Sequence, residues 1–300
     1  MNGNAFMNKQ NSDLNVCFIG GDNRQKYAAE ELSLHFNVNT VGEAFEAICR
    51  SNVKRFDNPQ KAILSSDVIV LPLPAALSES VISADKMIEH ISKCNQNIKV
   101  FGGKLSPYLR GMLDASNIHY MDYYDDESLA IRNAYLSAEG ALYCVMNEYH
   151  EALRFSSCAV VGFGRIGKAL SEMLYSLNAR VTVFARGDDS LALAEEKGFF
   201  TQLIETNLKT NSLSKLGEHK IIFNTVPYRI ISNDLLLKLP SGTIVVELAS
   251  QPGGFDVDIA RQCEITVIEA RGLPGKYAPV TAGKILADTL YRKINMGVEI

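Results

Sequence analysis

A glycine-rich segment between a strand and a helix constrains the fold of this chain most. Gly162-Phe163-Gly164-Arg165-Ile166-Gly167 follows an apolar run at 158–161 and precedes a helical pattern at 168–177. Strand, GxGxxG and helix in this order form the dinucleotide-binding fingerprint of a βαβ unit. The helix N-terminus supplies N–H groups and partial positive charge to the phosphates. We therefore predict a Rossmann domain, the alternative being a glycine-rich turn without a nucleotide; the predicted cofactor-binding residues here are Gly162, Gly164, Arg165, Ile166 and Gly167.

The residue after the second strand of this domain indicates which dinucleotide binds. An acidic residue about 20 positions past the glycines usually binds the ribose 2′-hydroxyl of NAD. Here Arg186 stands nineteen positions after Gly167, at the end of the strand 180–185. A guanidinium suits the 2′-phosphate of NADP bidentately. We therefore predict NADP rather than NAD, the alternative being that Arg186 is an exposed charge at a strand end.

Short apolar runs alternate with longer helical patterns in both halves of the chain, which predicts an α/β fold with two parallel-sheet domains. The length of 300 residues, with 47% hydrophobic and 21% charged residues, is typical of globular proteins. We place an N-terminal flavodoxin-like domain at 1–150 and the Rossmann NAD(P)-binding domain at 151–300. Within the first domain, residues 1–14 are expected to form a flexible leader.

Two helices are predicted to connect these domains. Apolar residues recur at three- and four-residue intervals between 134 and 149, which indicates a connecting helix with one buried face. Ser137 is the predicted N-cap of that helix. The last helix, at 281–300, begins near Thr281 and is expected to pack back on the first domain.

The composition excludes several classes of function. A net charge of −4 argues against a protein that binds the phosphate backbone of nucleic acids. The six cysteines form no CxxC pair, which predicts a reducing, cytoplasmic setting and no metal site. No apolar run reaches the eighteen or so residues that a membrane span requires. We therefore expect no nucleic-acid partner, no membrane partner and no metal.

Two further segments carry candidate binding residues. Thr225, Val226 and Pro227 follow the fourth strand of the Rossmann domain, an edge that borders the nicotinamide in such folds, and are predicted to bind the cofactor. After the fifth strand, Pro252 precedes two glycines whose backbone N–H groups can face an anion or a carbonyl. A tight β-to-α turn would explain the same glycines.

A third segment, at 271–284, contains two prolines and three glycines, which predicts a loop of fixed shape. Arg271, Lys276 and Lys284 bring three cations to it, as a dicarboxylate substrate would require. An exposed basic loop is the alternative.

Several of these segments together resemble the A subunit of dipicolinate synthase. The matching motifs occur in that family's order and span nearly the whole chain, and the last of them is the most specific. Glu247 stands where Asp is expected in the family, and Gln251 and Val280 stand where basic residues are common. The motifs are GGDNRQ (20–25), LSAEGA (136–141), GFGRIG (162–167), NTVP (224–227), ELASQPGG (247–254) and GLPGKYAPVTAG (272–283).

The resemblance implies two domains arranged as in D-2-hydroxyacid and alanine dehydrogenases. It implies an oxidoreductase that oxidises dihydrodipicolinate to dipicolinate (pyridine-2,6-dicarboxylate) with NADP during sporulation, in the mother-cell cytoplasm. The flavoprotein-like B subunit of the synthase would be its partner, and a homo-oligomer is left open. Two alternatives are an NAD(P)-dependent dehydrogenase of another small carboxylic acid and a non-catalytic NADP-sensing protein.

A dicarboxylate requires cations or clustered N–H donors, because burying an unpaired carboxylate is costly. Arg24 follows the first strand, at the edge where open α/β sheets bind ligands, and Arg132 lies near the domain junction. No histidine pairs with a nucleophile or an acid, so the catalytic base stays unassigned, with Ser250, Lys276 and Lys284 as candidates. The substrate-binding candidates are Arg24, Arg132, Ser250, Gly253, Gly254 and Lys276.

Overall fold

Parallel strands and covering helices build two separate units in this chain. The computed structural model describes residues 13–48, 50–77, 80–94, 97–205 and 213–296. Unit 1 comprises Met1–Arg132 and Ala278–Ile300, and unit 2 comprises Asn133–Tyr277. Most of the predicted leader, residues 1–12, and the last four residues of the predicted final helix lie outside the described residues.

Unit 1 contains one six-stranded parallel sheet with the strand order β3-β2-β1-β4-β5-β6. Apolar residues of the central strands β1 and β4 are fully buried between helical layers. The strands are β1 (Asn15–Ile19), β2 (Asn37–Val41), β3 (Val53–Arg55), β4 (Val68–Val70), β5 (Lys99–Gly102) and β6 (Tyr120–Asp122). The helices are α1 (Asn23–Leu32), α2 (Pro59–Leu64), α3 (Ala84–Ser92), α4 (Pro107–Ala115), the start of α5 (Glu127–Glu148), and α11 (Pro279–Asn295).

The edge strand β3 distinguishes this sheet from the predicted flavodoxin-like one. Without β3 the order reads 2-1-3-4-5, which is the flavodoxin order, and with β3 it reads 3-2-1-4-5-6, the Rossmann order. Two of the three residues of β3, Lys54 and Arg55, are exposed. The strand therefore carries no apolar run by which a sequence pattern could reveal it.

Unit 2 contains a second six-stranded parallel sheet, with the order β12-β11-β10-β7-β8-β9. This is again the Rossmann order, so the predicted α/β class with two parallel sheets is confirmed. The strands are β7 (Ser157–Val161), β8 (Arg180–Ala185), β9 (Phe200–Leu203), β10 (Ile221–Asn224), β11 (Ile244–Glu247) and β12 (Thr266–Glu269). The helices are α6 (Arg165–Ser176), α7 (Asp188–Glu196), α8 (Asn233–Leu236), α9 (Val257–Gln262) and α10 (Leu273–Tyr277), with most of α5.

The connecting helix α5 begins ten residues before its predicted cap. Ser137 lies inside α5, where its Oγ donates to the carbonyl of Asn133 (2.9 Å), so its assignment as N-cap was wrong. Asp126 supplies the cap instead, since its carboxylate accepts from the N–H of Leu129 (3.0 Å). Arg132 consequently lies within α5, and the division between the units falls directly after it rather than at 150.

The C-terminal helix α11 packs within unit 1, against α1. A Cβ added to Gly283 would stand 2.5 Å from Tyr27 Cβ and 2.8 Å from the carbonyl of Arg24, so the two helices approach closely. Helix α11 begins at Pro279 rather than near Thr281, and this proline lies in the first turn of the helix. Lys284 therefore belongs to unit 1, not to the nucleotide domain as predicted. The segment 271–284, which was predicted to be a loop, contains α10 and the start of α11.

A charged cluster holds the start of α5 to α11. Lys293 Nζ lies 3.2 Å and Arg292 Nη2 lies 3.9 Å from the carboxylate of Asp126. Burial alone would raise the pKa of Asp126, but hydrogen bonds from Ser128 and the Leu129 amide, with the Lys293 ammonium, outweigh it. They hold the pKa at about 2.

This cluster predicts a loss of stability in acid. A depressed carboxyl pKa contributes stability above the unfolded pKa, near 4, and that contribution disappears as the pH falls through about 2. We expect Asp126→Asn to lower the free energy of unfolding by about 2 kcal/mol at pH 7 and by almost nothing at pH 2. Denaturant titrations across this range test it, with the exposed neighbour Asp125→Asn as control. An equal loss at both pH values would contradict the ionic origin.

Candidate functional site

The glycine loop of unit 2 (residues 162–167) is shaped by close contacts at its two ends. Gly162 has φ +96°, and a Cβ there would lie 2.4 Å from Thr225 Oγ1. A Cβ on Gly167 would lie 2.1 Å from the carbonyl oxygen of Gly162. Both positions therefore require glycine, one for its backbone conformation and both for the approach of α6 to the sheet.

The middle glycine, Gly164, faces open space instead. It is the N-cap of the twelve-residue helix α6, makes no side-chain cap, and a Cβ there would meet no described atom within 4 Å. The first N–H groups of a helix have no partner within it, and its N-terminus is partially positive. The space beside Gly164 thus has the room and the donors that a pyrophosphate requires.

The two residues that follow take different positions in the same turn. Arg165 is the exposed first residue of α6, whereas the side chain of Ile166 packs against the buried core of unit 2. Only the backbone of Ile166 can therefore face a phosphate. Its assignment as a cofactor residue rests on that N–H group.

Arg186 lies beside this loop through the pairing of β7 and β8. The N–H of Gly162 donates to the carbonyl of Phe184 (2.8 Å), two residues before Arg186. The Arg186 side chain is exposed and makes no ion pair with any residue that the structure describes. Asp188 and Asp189 fall in the first turn of α7, where the helix dipole favours acidic residues. The cation therefore lies at the end of β8, and the two acidic residues lie on α7.

The segment 225–227 forms the wall beneath the glycine loop. The Oγ1 of Thr225 donates to the carbonyl of Val161 (2.9 Å), so this hydroxyl is already hydrogen-bonded to β7. A Cβ on Gly162 would stand 2.8 Å from Val226 Cγ2. Pro227 is exposed and follows them at the carboxyl edge of the sheet.

The glycine turn 249–254 holds its own backbone together. The N–H of Gly253 donates to the carbonyl of Ser250 (3.0 Å), and the N–H of Gly254 donates to Glu247 Oε2 (2.7 Å). These two amides are therefore engaged, whereas the sequence predicted them as donors to a substrate. Ser250 is exposed at the start of this turn.

A buried carboxylate that the sequence analysis did not assign organises this turn. Glu247 ends β11 and its side chain is fully buried. It accepts from Asn224 Nδ2 (2.8 Å) and from the N–H of Ala249 (2.9 Å), in addition to Gly254. Asn224 and Glu247 are register partners on adjacent strands. The sequence did indicate this pair in one way, because a polar residue ends each of two apolar strands, β10 and β11.

Two of the predicted substrate cations have partners within unit 1. The guanidinium of Arg24 binds the carboxylate of Asp22 (2.7 Å) and the carbonyl of Leu73 (2.6 Å), with 12% of its side chain exposed. Arg132 pairs with Asp288 (2.8 Å). The structure therefore assigns both guanidinium groups to intramolecular ion pairs.

The two lysines differ from these arginines. Lys276, on α10 of unit 2, and Lys284, on α11 of unit 1, are exposed and form no ion pair within the described ranges. They are the predicted cations that remain available to a carboxylate.

The described part of the chain lacks two features. It contains no group of three His, Cys, Asp or Glu side chains placed to hold a metal ion. It also contains no helix long and apolar enough to cross a membrane.

The chain is similar to known proteins in sequence and in structure. Residues 15–124 match the family described as the N-terminal domain of the dipicolinate synthase A subunit. The dipicolinate synthase A subunit of Bacillus subtilis (strain 168) is 27% identical over 293 residues, spanning 92% of this chain and 94% of the relative.

Among solved structures, the dipicolinate synthase A subunit from Bacillus halodurans superposes with a TM-score of 0.82 at 28% identity, covering 95% of this chain and 99% of that one. A transhydrogenase from Sinorhizobium meliloti has a TM-score of 0.70 at 15% identity over 95% of this chain and 94% of that one, and shows the fold alone.

The two Rossmann-ordered sheets, the glycine loop and these structural neighbours show a Rossmann-type, dehydrogenase-like α/β fold. Within that fold class, the similarity to the dipicolinate synthase A subunit extends over nearly the whole chain. The resemblance to the dipicolinate synthase A subunit that the sequence motifs indicate is confirmed.

Proposed function

We propose that this chain is the NADP-dependent subunit of a dipicolinate synthase, which oxidises dihydrodipicolinate to dipicolinate. The observation that carries the proposal is the glycine loop, with open space at Gly164 and an Arg186 guanidinium that makes no ion pair with any described residue, in a chain similar to the A subunit of that enzyme. The relative's name specifies one subunit, which implies a second. We accordingly propose that the B subunit is the partner and that the mother-cell cytoplasm of a sporulating bacterium is the place of action.

Each part of the proposed site has a defined task. The N-terminus of α6 and the glycine loop hold the pyrophosphate, and Arg186 holds the 2′-phosphate. The segment 225–227 borders the nicotinamide, and Lys276 is available to a substrate carboxylate. When bound, NADP⁺ supplies the acceptor for one hydride.

The reaction places little demand on a base. Oxidation of dihydrodipicolinate to the aromatic ring would remove one hydride, which the bound dinucleotide would accept, and one proton, which water can accept. Aromatisation favours the loss of the proton, which fits the described part of the chain, where no histidine pairs with a nucleophile or an acid. The residues must chiefly position the ring and neutralise two carboxylates.

The experiment that tests the function uses the purified chain with NADP⁺ and freshly prepared dihydrodipicolinate, with and without the B subunit. We expect NADPH and dipicolinate to form in equal amounts. Oxidation of another small carboxylic acid alone would assign the chain to a different dehydrogenase. Binding of NADP⁺ without turnover of any acid, even when the B subunit is present, would favour a sensing role.

Arg186 predicts the choice of dinucleotide. Losing one charge-assisted contact costs about 1.5–3 kcal/mol, so Arg186→Ala should weaken NADP binding roughly tenfold to a hundredfold while sparing NAD. Calorimetric titration with both dinucleotides measures this. Arg180→Ala, at the opposite end of the same strand, is the matched control and should change neither affinity. Equal weakening of NADP and NAD would overturn the assignment of Arg186.

A further inference from the structure

Two loops that follow adjacent strands of unit 2 meet at one buried side chain. They are the cofactor loop (residues 225–227), which follows β10, and the glycine turn (residues 249–254), which follows β11. The Oε1 of Glu247 accepts from Asn224 Nδ2 (2.8 Å) and from the N–H of Ala249 (2.9 Å), and its Oε2 accepts from the N–H of Gly254 (2.7 Å). A single carboxylate thus binds both ends of the glycine turn.

Asn224 connects the same carboxylate to the cofactor loop. Its Nδ2 also donates to the carbonyl of Val226 (3.0 Å), and its Oδ1 accepts from the N–H of Val226 (3.2 Å). The packing here is tight, since a Cβ on Gly254 would lie 2.2 Å from Asn224 Nδ2. A displacement of Glu247 would therefore be transmitted to Val226 through the Asn224 amide.

The donors around Glu247 require a carboxylate rather than an amide. Each of its two oxygens faces at least one N–H group, and the residue is fully buried. A glutamine would turn its NH₂ group toward one of these donors, leaving that buried N–H unsatisfied. The change preserves shape and removes one anchor of the two loops.

We propose that Glu247 is a positioning residue that holds the cofactor loop and the glycine turn in one fixed relation. This inference rests on the proposed function, in which the cofactor loop borders the nicotinamide. Hydride transfer requires donor and acceptor carbons at close approach, and a misplacement of about 1 Å can cost a hundredfold in rate. Glu247 acts through the backbone of both loops and touches neither reactant.

Hydrogen exchange tests the structural half of this proposal without any ligand. In the full chain, Glu247→Gln should accelerate amide exchange in both 225–227 and 249–254, while the glycine loop 162–167 exchanges as in the wild type. Leu216→Ala is the stability control: it opens a buried position before β10, at the opposite end of that strand. Unchanged exchange in either loop, or the same pattern in Leu216→Ala, would overturn the proposal.

Kinetics test the functional half. Glu247→Gln should lower kcat for dihydrodipicolinate about 30- to 100-fold and change the Kd for NADPH less than threefold, because the glycine loop is untouched. Glu247→Asp keeps both accepting oxygens and should recover most of the loss. If the glutamine variant fails to fold, Asn224→Ala, which removes the connection from Glu247 to the cofactor loop, takes its place with the same expected fall in kcat. Equal kcat values for wild type and Glu247→Gln would overturn the proposal. If the wild type turns over no dihydrodipicolinate, the proposed function fails, and the exchange experiment alone decides for or against Glu247.

Discussion

Replacing Gly164 by valine should abolish dinucleotide binding in a protein that still folds. The backbone at Gly164 is extended (φ −77°, ψ −163°) and a Cβ there meets no described atom within 4 Å, so the side chain fits the protein. It would fill the space from which a pyrophosphate must approach the N–H groups of α6. Losing two charge-assisted hydrogen bonds of about 1.5–3 kcal/mol each should weaken NADP binding more than a hundredfold. Calorimetry measures the affinity, and circular dichroism verifies the fold.

The control for this variant is Gly111→Val. Gly111 lies exposed on α4 of unit 1, and a Cβ there also meets nothing within 4 Å. We expect NADP binding to be unchanged in that variant. Normal binding by folded Gly164→Val would place the nucleotide site elsewhere.

Substitution of Gly167, three residues further on, should destabilise the fold itself. Gly167→Ala places a methyl group 2.1 Å from the carbonyl oxygen of Gly162, so α6 must move away from the end of β7. Overpacking against backbone costs about 3 kcal/mol or more. In a chain of this size the Tm should fall by roughly 6–12 °C. Thermal unfolding followed by circular dichroism measures it.

Gly111→Ala is again the matched substitution. A glycine in the interior of an exposed helix is less favourable than alanine, so this change should raise stability by about 0.5–1 kcal/mol. If Gly167→Ala were as stable as the wild type, the close packing of α6 on the glycine loop would be refuted.

The central strands of both sheets were predictable because their residues are continuously apolar. The edge strands β3 and β9 were not. In β9, the ends Phe200 and Leu203 are exposed and Thr201 and Gln202 are only partly buried, so no buried face marks it. Pairing with β8 forms this strand, and such pairing is a long-range event that local composition does not record.

The candidate site was predictable where the backbone dictates the residue. Gly162, with its φ of +96°, and Gly167, against the carbonyl of Gly162, follow from local sterics. The outcome for Arg24 depended on a competition between a ligand and Asp22, which also caps α1. The task of Glu247 depended on three donors from separate positions in the fold. Such convergence is visible only when the strands are placed side by side.

The return of α11 to unit 1 has a consequence for synthesis on the ribosome. Leu286, Leu290 and Ile294 belong to the same buried cluster as Val16 and Phe18 of β1. Strand β1 therefore emerges from the ribosome long before α11, which contributes part of the apolar cluster around it. Unit 2 is continuous in sequence and its residues are all available earlier. The nascent chain thus completes its second unit before its first, and chaperone capture of the unfinished N-terminal segment is the expected cost of this order.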